Sequence, residues 1–246
     1  MSNFIITTDS TSDLPSSYIT EHKIEVFPLY YNLEDVIYGK DITLEDFYKK
    51  MRAGRMPTTM AINPELAKDT FKKYLEQGLD ILHIGFSSAL SGSFNNAMIA
   101  ANELKEEYPE RKIIIIDSLC ASLGEGLLIH KAIILKESGK SIEETSSWIE
   151  ENKLHVCHLF TVNDLFHLQR GGRVSKTTAI IGTMINVKPI LHVNDEGRLI
   201  PLQNVRGRKR SLSTLVDSME TRIKGYEGQN DIVFISHGDS LEDAQF

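Results

Sequence analysis

The run Lys112-Ile113-Ile114-Ile115-Ile116-Asp117 leaves a chain few structural options. Four consecutive isoleucines put apolar, β-branched side chains on both faces of a strand, so both faces must be covered. A parallel sheet flanked by helices does this. The neighbouring segments agree. Phe4-Ile5-Ile6-Thr7-Thr8 is a second β-rich run, ending in a polar turn and a helix, and Ile24 to Tyr31 reads as a strand. Thr43, three residues before Asp46, opens a helix that Gly54 closes; Asn63-Pro64-Glu65 starts another that runs to Gly78. The apolar run Asp80 to Phe86 predicts a strand and Ser91 to Tyr108 a helix. Two more helices are expected at Leu123–Glu137 and Ser141–Asn152, before the apolar run His155 to Val162. Strands alternating with helices from residue 3 to about 160 predict an open, mainly parallel α/β layer structure.

After Val162 the rhythm changes. Ile190 to Val193 and Arg198 to Leu202, joined through Asn194-Asp195-Glu196-Gly197, read as a hairpin, which is an antiparallel signal. We therefore expect an N-terminal α/β domain over 1–160 and a second α/β domain, with a mixed or antiparallel sheet, over 161–246. A helix from Ser211 to Lys224, a strand from Asp231 to Ser236 and a starting helix at Leu241–Phe246 complete the reading.

With 246 residues, 41% of them hydrophobic, the chain can bury a sizeable core. A net charge of −7 argues against a broad basic face for nucleic acid or anionic membrane, so any basic site is local and membrane contact is at most transient. Cys120 and Cys157 sit in apolar surroundings without a CxxC spacing, as buried thiols of a reducing compartment do. Without a signal-peptide pattern or a membrane span, the expected location is the cytoplasm. The histidines show no metal-ligand spacing beyond His155/His158, which on a strand face opposite sides; no metal or cofactor is expected.

The chemistry concentrates in loops at strand ends, where open sheets bind ligands. Asp9-Ser10-Thr11-Ser12, Ser87-Ser88-Ala89-Leu90-Ser91-Gly92-Ser93 and Asp117 to Ser122 are each rich in hydroxyls and each follow a strand. Helix capping explains any one of them; three at one sheet edge favour an anion site, with Ser91 or Gly92 at a helix start. A GxxxxGK[ST] loop, a GxGxxG turn and a G-x-S-x-G elbow are all missing, so nucleotide binding and serine hydrolysis have no motif behind them. A second constellation, Arg170-Gly171-Gly172-Arg173-Val174-Ser175 with a helix to follow, joins Arg206, Arg208, Lys209 and Arg210 in a basic patch that fits a phosphate or an acidic partner. Locally, a helix C-cap at Gly171 with solvated arginines explains the first part equally well.

These residues resemble the DegV family of bacterial fatty-acid-binding proteins. The resemblance spans nearly the whole chain: TTDSTSDLP, MPTT, SSALSGSFNNA, IIDS, LQRGGRVSK, VKPILHVNDEGRLIP and NVRGRKRSL, in family order. It implies a two-domain fold with an apolar tunnel between the domains, holding one long-chain fatty acid. It also implies a non-catalytic role, as the binding subunit of a fatty-acid kinase whose separate ATP-binding subunit phosphorylates the presented carboxylate. Thr59 and Ser91 match the hydroxyls that donate to the carboxylate, with Gly92 and Ser93 beside them. Arg173 and Arg206, with Arg170 nearby, match the kinase-facing surface. Two departures stand out. Met60-Ala61-Ile62-Asn63 replaces the usual Ser-Gln-Pro-Ser, and no His-Thr-Gly-Pro-Gly-like segment, whose histidine faces the carboxylate, occurs before Phe246; a fragment is the expectation. A serine hydrolase acting on acyl esters and a phosphate or nucleotide binder remain the alternatives.

Overall fold

The computed structural model describes residues 3–34, 36–38, 42–175, 186–229 and 232–246. By contacts the chain divides into two units, Met1–Val156 and Cys157–Phe246.

In the first unit, β1 (Phe4–Asp9) leads through a 3-10 turn (Ser10–Ser12) to α1 (Ser16–Glu21) and β2 (Glu25–Phe27). Then come β3 (Tyr31–Leu33), β4 (Val36–Tyr38), α2 (Leu44–Arg52), β5 (Thr58–Thr59) and α3 (Pro64–Glu76). They are followed by β6 (Asp80–Gly85), α4 (Ser93–Glu107), β7 (Ile113–Asp117), α5 (Leu123–Glu137) and α6 (Ile142–Asn152). The main sheet has order β2-β1-β6-β7 and is parallel throughout. The isoleucine run sits at its end and alternates as a doubly covered strand must. Ile114 and Ile116 pack with Leu128, Ile129, Ile133 and Ile149 of α5 and α6. Ile113 and Ile115 pack on the other face with Phe71, Leu75, Ala97 and Leu104 of α3 and α4.

Caps set the helix starts. The Thr43 hydroxyl accepts the Asp46 N–H, the Asn63 carboxamide accepts those of Glu65 and Leu66, and Ser141 with Glu144 forms a full capping box.

The expected single strand over 24–31 is two strands. Pro28 brings no N–H to a ladder, the Leu29 N–H goes to Ser10 Oγ at 2.9 Å, and the chain turns away from the parallel sheet. It then forms a small antiparallel sheet of order β4-β3-β5, in which Tyr31 pairs with Thr59.

The second unit contains β8 (Phe160–Thr161), α7 (Phe166–Arg170), β9 (Val187–Val193), β10 (Leu199–Arg206), α8 (Arg208–Ile223) and α9 (Leu241–Gln245). The hairpin read from the sequence is β9–β10, antiparallel, with β8 on the other side of β9. Two expected strands are corrected. The run 155–162 serves two units: Lys153–His155 is a 3-10 turn, Val156 packs against the α5/α6 side of the first core, and only Phe160 and Thr161 pair, with β9. Over 232–236 the described chain has no ladder partner, and Val233 and Ile235 are 59% and 65% exposed. Asp231 and the helix expected after Ser175, over 176–185, lie outside the described residues. No helix among the described residues is long and apolar enough to cross a membrane.

Candidate functional site

From β1 the chain moves to β2 on one side and to β6 on the other, so β1 and β6 flank the switch point of the parallel sheet. In open sheets the crevice beyond the carboxyl ends of such strands is where ligands bind. The three hydroxyl-rich loops all emerge at this edge, and the structure separates them.

Two of them use their polar groups internally. Ser10 Oγ accepts the Leu29 N–H, Ser12 is buried, and Thr11 turns inward. In the third loop, Asp117 Oδ1 accepts the Ser88 and Leu119 amides, Ser118 Oγ accepts the Cys120 amide, and Ser122 donates to Asp13 at 2.5 Å. Turn and cap chemistry therefore accounts for these loops, against the expectation that all three would wall an anion site.

The Ser87–Ser93 loop divides its own hydroxyls. Ser87 is buried and closes the turn, its carbonyl accepting the Leu90 and Ser91 amides and its hydroxyl the Ala89 amide. Ser93 is buried at the start of α4, where its Oγ accepts the Ile62 N–H at 3.2 Å and bonds Ser91 Oγ at 2.9 Å. Ser91 Oγ also accepts the Ser93 N–H at 3.2 Å, the bond an N-cap residue makes two positions on. Ser91 is half-buried and Gly92 exposed. Gly92 has ordinary helical-region angles, φ −74° and ψ 0°, so no conformational demand requires a glycine. Its bare Cα keeps the approach to the α4 N-terminus open, where unsatisfied amides and the helix dipole favour an anion.

Thr59 is exposed on β5, paired with Tyr31, two residues before the segment that reaches this helix start. A Cβ on Gly92 would meet Ala61 Cβ at 3.8 Å, Ile62 binds Ser93, and Asn96 Nδ2 donates to the Ile62 carbonyl at 2.8 Å. Residues 61–62 and 92–96 are thereby laced side by side. The unusual Met60-Ala61-Ile62-Asn63 segment also has an internal logic. Ile62 is 1% exposed in the core, Asn63 caps α3, and only Met60 and Ala61 replace polar residues near the crevice.

Sequence reading missed the polar layer beneath. Asp9 and Glu125 are both fully buried. Thr8 and Thr11 donate to the two Glu125 oxygens at 2.8 and 2.9 Å, Thr11 also bonds Asp9, and the Phe86 N–H reaches Asp9 Oδ2 at 3.2 Å. Burial pushes both carboxyls above the usual carboxylate range, Glu125 further because the Asp9 charge adds to it. His83, on β6, is also fully buried. Its Nδ1 bonds Thr7 Oγ1 at 3.0 Å, its Nε2 has no partner, and burial lowers its pKa to about 3, so it is neutral.

The arginines belong to the second unit. Arg170 ends α7, and the turn beyond is a Schellman motif. The Arg173 N–H bonds the Leu168 carbonyl, the Gly172 N–H bonds that of Gln169, and Gly172 takes φ +77°. The C-cap reading of this glycine pair holds, shifted so that Gly172 is the left-handed residue. Arg173 folds back onto the Gly171 carbonyl, while Arg170 and Arg206 are exposed. A groove of about 410 Å³ between β10 and α8, lined in part by Leu202, Val205, Arg210 and Arg222, shares no residue with the Ser91 loop.

Comparison with known proteins agrees with this fold. The model of DegV, described as an uncharacterised protein family, matches residues 3–246. A DegV domain-containing protein of Clostridium perfringens is 44% identical over 249 residues, covering 100% of this chain and 85% of that protein. A structure from Thermus thermophilus, described as fatty-acid binding of a DegV family protein, superposes with a TM-score of 0.80 at 33% identity, over 89% of this chain and 77% of that one. A stearic-acid-binding protein from Eubacterium ventriosum gives 0.85 at 26% identity, over 92% and 79%. Motifs, sheet order and whole-chain similarity converge: the chain belongs to the DegV family.

Proposed function

We propose that this protein binds one long-chain fatty acid and holds its carboxylate at the start of α4, through Ser91, Thr59 and the bare helix end at Gly92. The observation that carries this reading is the likeness, over 89% of this chain, to the Thermus thermophilus structure described as fatty-acid binding; the linked Ser91 and Ser93 hydroxyls at the start of α4 support the placing of the head group. Burying an ionised carboxylate is costly unless it accepts several hydrogen bonds. Either hydroxyl can donate in the Ser91–Ser93 bond; with Ser93, which also accepts the Ile62 N–H, as the donor, the Ser91 hydrogen serves the ligand. Ser93 acts as the support of Ser91 rather than as a direct contact. The acyl chain supplies most of the affinity, at roughly 0.8 kcal/mol per buried methylene, and the head group sets orientation.

The protein then acts as a carrier that presents its ligand, in a bacterial cytoplasm, to a separate ATP-binding kinase subunit making acyl phosphate. Arg170, Arg173 and Arg206 form the surface for that acidic partner. Among the described residues, the Ser91 and Ser93 bonds run to each other and to backbone, with no imidazole partner. A serine hydrolase is therefore the weaker reading, and fluorophosphonate labelling at Ser91 would revive it. The test is Ser91→Ala. Loss of one hydrogen bond to a charged group is worth about 1.5–3 kcal/mol, so the variant should bind oleate roughly 10- to 100-fold more weakly, while losing the Ser93 cap bond lowers stability by only about 1 kcal/mol and leaves the protein folded. Unchanged affinity would remove Ser91 from the site.

A further inference from the structure

The Asp9–Glu125 pair has no part in the contacts proposed above, yet it lies directly under the loop that makes them. Asp9 closes β1, at the switch point, and its carboxylate takes the Phe86 N–H, the first amide after β6. Glu125 stands in the first turn of α5 and receives Thr8 from β1 and Thr11 from the 3-10 turn, and the same Thr11 hydroxyl bonds Asp9, so one side chain draws the two buried carboxyls together. Four parts of the fold meet at two carboxyls. The enclosure is tight, since a Cβ on Gly126 would lie 2.6 Å from the Ser12 carbonyl oxygen.

We propose that Asp9 and Glu125 share one proton and are the positioning residues of the Phe86–Gly92 loop, so that losing this proton at alkaline pH loosens the loop and its hold on a carboxylate ligand. Two buried carboxyls gathered on one threonine hydroxyl do not both ionise without water or a cation between them. The proton belongs to the pair rather than to either carboxyl, and the Asp9 side of the pair holds the Phe86 N–H. Among the described residues, the titratable and charged groups packed around the pair give it no cation. Asp13 is acidic and bonded to Ser122, Asp117 is acidic, and the Cys120 thiol is pushed up by burial. His83 is neutral, His130 lies further along α5 on Tyr18, and Lys153 is committed to the Asp117 carbonyl and Glu150. Both carboxyls titrate above their ordinary values. Their contribution to stability is therefore complete below the unfolded pKa and is lost as pH rises through the folded one.

This inference rests on the carboxylate-binding reading of Ser91, and its test separates the two. Oleate affinity and amide exchange of residues 86–92 are measured from pH 6 to pH 10, where the ligand stays ionised, for wild type and Glu125→Gln. Glutamine keeps acceptor and donor without a titratable proton. Wild type should lose about tenfold or more in affinity as pH rises, with exchange of the loop rising in step, whereas Glu125→Gln stays within about twofold. Parallel pH profiles in the two proteins would overturn the proposal. Infrared spectra supply a readout needing wild type alone: the carbonyl stretch of a protonated buried carboxyl should be present at pH 7 and titrate with the loop exchange. Its absence, or its titration apart from the loop, would equally overturn the pairing. If oleate fails to bind at every pH, the carboxylate-binding reading falls, while the infrared band and the loop exchange still decide the role of the pair.

Discussion

Phe71→Ala should destabilise the first unit by about 3–5 kcal/mol, a large share of the roughly 5–15 kcal/mol that holds a typical domain together. Phe71 projects from α3 into the sheet with no exposed surface. Its ring meets Phe27 edge-on, centroids 5.2 Å apart at 89°, and stands 5.8 Å from the His83 imidazole. Truncation removes these contacts and opens a cavity between α3 and β6. The cost falls toward the lower end of the range, because water entering the cavity finds a partner in the unpaired His83 Nε2. A second signature follows from the same water. In wild type, His83 is kept neutral down to about pH 3, so the unfolded chain binds a proton that the folded chain refuses, and stability falls as pH drops below about 6.5. Hydration should raise the His83 pKa in Phe71→Ala and flatten that acid loss. Urea denaturation at pH 7 and pH 5 checks both; a change below about 1 kcal/mol at pH 7 would show that Phe71 is not a core residue.

Gly126→Ala should also destabilise, by about 1–3 kcal/mol, although alanine is the better helix former by about 1 kcal/mol. The added methyl would stand 2.6 Å from the Ser12 carbonyl oxygen, 3.1 Å from Leu123 Cδ2 and 3.2 Å from Leu14 Cδ2. The leucines can adjust, but the carbonyl belongs to the turn joining Asp9 to Asp13 and moves only if that turn moves. The substitution therefore acts on the head-group edge as well as on stability. Calorimetry should show a lower Tm, and oleate affinity should fall with it. A stabilised protein would mean that α5 and the turn lie further apart than the structure places them.

How much of this was readable from the residues depends on what each signal measures. The isoleucine run was legible because apolar periodicity reports burial directly, and it named a two-faced strand that α3, α4, α5 and α6 cover. Helix starts at Asn63 and Ser141 were legible because capping is local chemistry. The strands over 155–162 and 232–236 were misread because β-rich composition does not supply a ladder partner, and pairing is a tertiary fact. Thr58 and Thr59 form a two-residue strand against β3, too short for any pattern.

The site divides in the same way. Ser91 stood out because it lies at a helix start after a strand, but counting hydroxyls could not separate it from Ser87 and Ser93, which face inward. Glu125 drew no notice within the helix expected over Leu123–Glu137. The glycine on either side of it, in Leu123-Gly124-Glu125-Gly126-Leu127, was the available sign of a close approach. Asp9 was visible only as part of a polar turn, because its partner is 116 residues away in the sequence.

The central claim is that this chain is a fatty-acid carrier, and native mass spectrometry of the purified protein, before and after organic extraction, tests it most directly. One bound long-chain fatty acid per chain should be present as purified, removed by extraction and restored by added oleate, with Ser91→Ala retaining markedly less. Protein that purifies empty and takes up no oleate would contradict the account.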